Sequence, residues 1–444
     1  MHVKQWRLLN KRQKHEIYDI FTIKVLKFLN LRHFKKEFFM LKIGIAGCGL
    51  QASTIASYLN VFGDEYQVTA VMDLNEEAAK QRLQEKQVIL GNSCRFFPDL
   101  DAFLAAKPEL DGIIIGTYCA FHTEIACALE PLHIPLYMEK PVAISLDQIR
   151  QLERTFRNSS TPVQISLPMR LCPLTQRAKE IIDSGRLGRI CQTVGYEDTD
   201  GQVYFTTWFR DAEKTGGMFM QKAVHDIDYQ IYLSGIEPET VCAMREKVCY
   251  VGDKDYELTC RECPDKHTCS CGPDYYFDRR GMYSSFGESE KMLSGVYAPD
   301  GQFLRKRYCA LSRDIAIEDI GECIVRGRNG SHLVHTQNFI ASSASARRGA
   351  RFVGQFGSLD IDFNHGELHF YSAANMDEEH CKIDPGQLSH YGGDRQLVKN
   401  FIRTMRTGER SSTDLITGSG ILSTLTCLCA RESADIGQFV PIKL

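Results

Sequence analysis

Short apolar runs at 42–46, 67–72, 112–115 and 136–138 predict strands, and the segments between and after them carry apolar residues at helical spacing: 50–59, 75 to about 86, from about 121, and 146–156. Such alternation predicts a parallel sheet with helices on both faces. The pattern changes farther along. Residues 318–370 read as strands broken by turns at 327–330 and 364–366, while 218–233, 393–406 and 415–434 read as helices. The expected class is α/β, a parallel sheet followed by a second α/β part.

Composition sets limits on this picture. With 444 residues, 43% hydrophobic and 25% charged, the chain is ample for two or three globular domains. Its most apolar stretch, 112–138, is interrupted by His122, Glu124, Glu130 and His133, so no membrane span is expected. The net charge of −3 is uneven, because residues 1–39 hold ten basic side chains against Glu16, Asp19 and Glu37. This leader is expected to be poorly ordered and to precede the fold. It does not read as a secretory signal, since Lys24 and Lys27 interrupt its apolar stretch and no small-residue cleavage site follows. The acidic remainder argues against nucleic-acid binding, which needs clustered Lys and Arg. Seventeen cysteines without an export signal point to a reducing cytoplasm.

Between the first strand and helix stands Gly47-Cys48-Gly49-Leu50-Gln51-Ala52, a G-x-G-x-x-A turn. Gly47 permits the tight turn, Gly49 admits a pyrophosphate close to the backbone at the helix N-terminus, and Ala52 lets helix and strand pack closely. Asp73, at the end of the second strand, is placed to accept both ribose hydroxyls of an adenosine. Its carboxylate would repel a 2′-phosphate, and no Arg follows directly, so NAD is expected in preference to NADP.

Past this unit comes Glu139-Lys140-Pro141, preceded by Gly116-Thr117 with His122 and followed by Gly216-Gly217 with His225-Asp226-Ile227-Asp228. Together these resemble the Gfo/Idh/MocA family of oxidoreductases over residues 40–444. The resemblance implies an NAD(P)-binding Rossmann domain at 40–162 and, at 163–444, a C-terminal α/β domain whose open, mostly antiparallel sheet carries the substrate site and mediates homo-oligomerisation. It adds Thr117, His122, Glu139 and Lys140 to the cofactor-binding set of Gly47, Gly49, Leu50, Gln51, Ala52 and Asp73.

Oxidising a secondary alcohol needs a hydride acceptor and a group that takes the hydroxyl proton. His225 is the candidate base. Gln221 and Asp228 stand at i−4 and i+3, where a continuous helix would put them on its face, Asp228 to orient the imidazole or touch substrate. Lys140, at the carboxyl end of a parallel strand, is the candidate to hold the substrate hydroxyl and stabilise a developing alkoxide. Many sugar and inositol dehydrogenases of the family carry Asp where this chain has Gln221, which cannot take a proton; Lys222 is a possible helper. Arg170, Trp208, Arg210 and His390, the last within His390-Tyr391-Gly392-Gly393-Asp394, are the further substrate-binding candidates.

A cysteine-rich insertion near 260–271 interrupts the second half. Soft thiolates at this spacing fit a structural zinc, with unligated thiols or redox chemistry as the alternatives, and the resemblance to relatives with a similar insertion implies Cys260, Cys263, Cys269 and Cys309 as the set. Three functions follow as expectations: a dehydrogenase acting with NAD(P) on a sugar or polyol, a glycoside hydrolase that oxidises its substrate transiently and returns the hydride, or a nucleotide-binding sensor without turnover.

Overall fold

The computed structural model describes residues 40–259, 262–272, 308–342, 344–384 and 389–444. The leader expected at 1–39 lies outside them. The first sheet runs β1 (Leu41–Ala46), α1 (Leu50–Tyr58), β2 (Tyr66–Met72), α2 (Glu76–Glu85), β3 (Leu90–Phe97), α3 (Leu100–Ala106), β4 (Gly112–Ile115), α4 (His122–Leu129), β5 (Leu136–Met138), α5 (Leu146–Phe156) and β6 (Val163–Ile165). Its six strands are all parallel, in the order β3-β2-β1-β4-β5-β6. Chain order reverses between β1 and β4, so the crevice beyond their carboxyl ends is where a ligand is admitted. Ile43, Ile45, Ile113, Ile114 and Ile115 are fully buried, as expected of strands covered on both faces. The edge strand β3 is largely exposed and polar, which is why hydrophobic patterning passes over it. β6 carries the sheet past the boundary expected at 162.

The second sheet is built from β7 (Ile190–Asp198), β8 (Pro238–Glu246), β9 (Ile320–Gly327), β10 (His332–Asn338), β11 (Arg347–Gly354), β12 (Gly357–Asp362), β13 (Glu367–Ser372), β14 (Glu378–Lys382) and β15 (Val440–Pro441). The order is β14-β13-β12-β11-β7-β10-β9-β8-β15, and every pairing is antiparallel except β7 with β10. On it lie α6 (Pro173–Asp183) and α7 (Val224–Ser234); α8 (Gly393–Thr407) and α9 (Gly420–Ile436) close the chain. The helix expected from 415 begins later, because the Asp414 carboxylate accepts from the backbone N–H of Ile416 and Thr417 and holds a turn there.

The last helices return to the first sheet. Leu397, Val398, Phe401 and Ile402 of α8 share a core with Ile43, Val68 and Ile114. Leu425, Cys427 and Leu428 of α9 join Ile113 and Ile165 on one side and Val241 and Val325 on the other. Each such side chain contributes about 1.5–3 kcal/mol by leaving water, so the two sheets are fastened by one continuous core. Among the described residues no helix is long and apolar enough to cross a membrane, and the described cysteines are free thiols.

Candidate active site

The glycine turn has the geometry its sequence calls for. Gly47 has φ +82°, and a Cβ there would lie 2.2 Å from Thr117 Cγ2. A Cβ on Gly49 would stand 2.9 Å from the Gly116 carbonyl oxygen, so any side chain would fill the approach to the α1 N-terminus. Leu50 and Gln51 open α1, where N–H groups have no partner within the helix. Ala52 is buried against Gly116. Asp73 accepts from Cys48 N–H at 2.9 Å and from Asn75 N–H at 2.9 Å, which fixes its carboxylate beside the turn. Arg82 of α2 donates to the Cys48 carbonyl at 2.8 Å and braces the same turn from the other side. These features suit a dinucleotide: a cradle without side chains, a helix N-terminus for the pyrophosphate and an oriented carboxylate for the ribose.

His122 does a different job from the direct contact expected of it. It is buried, with Nδ1 2.8 Å from the Pro141 carbonyl and Nε2 3.1 Å from the Thr117 carbonyl. The imidazole therefore spans the loops after β4 and β5 and sets Thr117 relative to Lys140. Glu139 is likewise buried, and its Oε1 has no hydrogen-bond partner among the described residues. Burial, reinforced by Asp394, pushes its carboxyl up to about 8.

Lys140 enters the crevice from the end of β5 and donates to the Gln221 carbonyl at 2.5 Å. Burial, then the charge of Lys222, brings its ammonium down to about 8. His225 opens the first turn of α7. The helix expected at 218–233 begins instead as a π-helical turn, Phe219–Ala223, before α7 starts at Val224. Gln221 sits in that turn, so the simple i−4 relation to His225 does not apply. Its amide is occupied, donating to Cys119 Sγ at 2.9 Å and the Thr215 carbonyl at 3.2 Å. His225 is buried and its Nδ1 has no hydrogen-bond partner among the described residues. Burial, then the positive charges of Lys140 and His390, holds its pKa well below the ordinary histidine value. The ring centroid of His390 lies 5.1 Å away. His390 in turn holds Asp394 through Nδ1 at 2.9 Å, from a backbone that is left-handed at both His390 and Tyr391.

Three expectations are corrected here. Asp228 does not orient His225: both its oxygens accept from Arg170, at 2.6 and 2.7 Å, in a fully buried pair. Arg170 further donates to the Ser412 and Gly418 carbonyls, so these two candidate substrate ligands are consumed in tying α7 to the loop before α9. Arg210 is also buried and paired, donating to Asp314, Ser312 and the Cys309 carbonyl. Trp208 remains partly exposed, packed at 4.7 Å on Tyr118, which follows Thr117 at the crevice rim. Lys222 is no free helper, because it is paired with buried Glu197 at 3.0 Å.

The zinc set is not assembled among the described residues. Cys260 lies outside them, and Cys263, Cys269 and Cys309 do not bring three ligand atoms within 4.8 Å of one another. Cys309 Sγ instead accepts from Leu311 N–H at 3.4 Å.

What sequence reading missed is the support beneath the site. Asp226, next to His225, is clasped by Arg348 of β11 through two bonds of 2.8 Å. Arg348 and Glu197 lie far from α7 in sequence and carry no local signal. The Asp394 partner of His390 was within reach of the eye, four residues on in the same short element.

Residues 41–167 match the profile of the oxidoreductase family with an NAD-binding Rossmann fold, GFO/IDH/MocA. Residues 175–270 match the GFO/IDH/MocA C-terminal domain. The chain belongs to this family. Among its relatives are an inositol 2-dehydrogenase of Saccharopolyspora erythraea, 26% identical over 49% of this chain and 61% of that protein, and a myo-inositol 2-dehydrogenase of Thermotoga maritima, 22% identical over 48% and 63%. An oxidoreductase of Streptococcus pneumoniae is 26% identical over 48% of this chain and 56% of its own. The matches thus span a little over half the length of these curated relatives. Among solved structures, a levoglucosan dehydrogenase in complex with NADH and levoglucosan superposes with TM-score 0.67 at 15% identity, covering 91% of this chain and all of that one. An oxidoreductase domain protein of Kribbella flavida gives 0.68 at 15% identity over 92% of this chain and all of its own. At such identities the superpositions speak for the shared Gfo/Idh/MocA fold.

Proposed function

We propose that this Gfo/Idh/MocA protein is a dehydrogenase acting with NAD on a secondary alcohol of a sugar or polyol, with NADP disfavoured by Asp73. The observation that carries the reading is the meeting of Lys140 and His225 beyond the glycine turn: one half-buried lysine whose ammonium is weakened, and one buried imidazole whose pKa is held down and whose Nδ1 has no hydrogen-bond partner among the described residues. The inositol and levoglucosan dehydrogenases among the similar proteins point to the same substrate class.

The nicotinamide, when bound, supplies the hydride acceptor. The residues that would hold the dinucleotide are Gly47, Gly49, Leu50, Gln51, Ala52, Asp73 and Thr117. Lys140 donates a hydrogen bond to the reacting oxygen and stabilises negative charge as it develops there. His225 takes the hydroxyl proton at a ring nitrogen. Gln221 cannot receive that proton onward, so it leaves His225 to solvent, and His390, held by Asp394 with its ring centroid 5.1 Å from that of His225, positions the imidazole. Trp208 offers an aromatic face at the rim for a polyhydroxylated ring.

The test is to add NAD to the purified protein and follow nicotinamide absorbance together with aglycone release across polyols, free sugars and aryl glycosides. Net reduction of NAD by one polyol or sugar class is expected. Aglycone release that needs NAD but yields no net NADH would replace this reading with the hydrolase.

A further inference from the structure

The second sheet ends in the hairpin of β13 and β14, and its two faces differ. Leu368 and Phe370 point into the core, while Glu367 and His369 alternate with them onto the other face. His369 stands directly opposite His380 of the edge strand β14. Their rings stack 4.2 Å apart at 15°. Glu367 and His369 are two residues apart on one strand and His380 is the cross-strand neighbour, an arrangement that turns three side chains toward one point above the sheet. Ligand atoms of the three lie within 4.8 Å of one another, the one such group among the described residues.

The surroundings fit the same use. Arg351, Asp360, His369 and His380 occupy one register row across β11, β12, β13 and β14. Asp360 therefore flanks His369 on the side away from His380, its carboxylate taken up by Arg351 at 2.7 Å. Glu367 is engaged at Oε1 by Lys382, at 2.9 Å, while Oε2 faces His369 Nε2 at 3.8 Å. Two imidazoles and one carboxylate are borderline ligands, suited to Zn²⁺, Ni²⁺ or Cu²⁺ in preference to Mg²⁺ or Ca²⁺. We propose that Glu367, His369 and His380 bind one divalent transition-metal ion, the remaining coordination positions being filled by water. Nothing in the dehydrogenase reading depends on this site, and nothing in the site depends on that reading.

The experiment titrates Ni²⁺ into full-length, tag-free protein stripped with chelator, by calorimetry, beside a His369→Ala/His380→Ala double variant. Both substitutions are at the surface, and circular dichroism melts confirm that the fold is kept. The wild type is expected to bind one Ni²⁺ equivalent more than the double variant. Lys382→Ala is expected to strengthen that equivalent by freeing both Glu367 oxygens. Superimposable isotherms for wild type and double variant would overturn the proposal, since any remaining uptake would then belong to thiols elsewhere in the chain.

Discussion

Two half-buried lysines meet near the same short turn and are treated in opposite ways. Lys222 lies against Glu197 at 3.0 Å, and against burial this carboxylate holds its ammonium above the ordinary lysine value. Lys140 is given a backbone carbonyl instead, and burial with the charge of Lys222 brings it down to about 8. The contrast extends to their neighbours, since Asp226 and Asp228 are each clasped by an arginine whereas His225, beside Lys140 and His390, has an Nδ1 without a hydrogen-bond partner among the described residues. Completed pairs hold a structure in place; an incomplete one keeps reactivity in reserve.

The comparison breaks most visibly in stability. Removing one member of a buried ion pair leaves the other charge unpaired, at a cost of about 3–5 kcal/mol. Lys222→Met should therefore lower the urea midpoint, by less than this full cost because the Arg348 charge still faces Glu197, and Glu197→Gln on that background should recover part of the loss. Lys140→Met, which removes a half-buried cation without a carboxylate clasp, should be near neutral at pH 7. Equal losses for the two lysine variants would erase the distinction.

Next comes its pH dependence. The folded pKa of Lys140 lies below its unfolded value, so the folded state disfavours the ammonium. Relative to Lys140→Met, the wild type should lose stability as pH falls from about 10.5 to about 8 and change no further below that. At about 1.4 kcal/mol per pH unit the total reaches at most about 3.5 kcal/mol. Lys222 is raised, so its own contribution is fully present below 10.5, and the difference between wild type and Lys222→Met should change over the same window only by the share of the Lys140 shift that the Lys222 charge supplies. Parallel slopes in the two comparisons would contradict the assignment.

Catalysis sharpens the contrast within one helix. His225→Ala should lower kcat about 100-fold, the usual worth of a general base, while leaving nucleotide affinity near the wild-type value. His390→Ala should lower kcat less and shift its pH profile, because it acts through His225. A near-normal rate for His225→Ala would remove it from the proton path.

The legible part of this molecule was the part written in short range. The βαβ rhythm, the glycine turn and Asp73 all declare themselves within about thirty residues, because a turn that admits a pyrophosphate needs particular residues at particular offsets. The parallel core strands were equally plain, whereas β3, polar and exposed at the edge, had no hydrophobic pattern to show. Around the site, the sequence offers Lys140 and His225 as catalytic candidates and Arg170, Arg210, Asp228 and His390 as substrate ligands, of which the fold pairs Arg170 with Asp228 and Arg210 with Asp314. A buried arginine and one at a ligand look alike in sequence; what separates them is a partner such as Asp228 or Asp314, brought close only by the fold. The π-helical turn at Phe219–Ala223 was hidden for a related reason, since one extra residue in a turn leaves no mark on composition.

The smallest expected effect concerns the region that has almost no ion pairs, the glycine turn. Asp73 accepts two backbone N–H bonds here and keeps further lone pairs for ribose hydroxyls. A hydrogen bond to a charged group contributes about 1.5–3 kcal/mol, but Asp73→Ala also loosens the turn that the carboxylate holds, and water replaces part of the lost contact. NAD affinity should therefore fall roughly 10-fold, while NADP, relieved of repulsion from the carboxylate, should be weakened less or strengthened. Fluorescence titration with both nucleotides reads the ratio directly. If the two affinities fell together, Asp73 would be bracing the turn alone, and the preference for NAD would have to come from elsewhere around the turn.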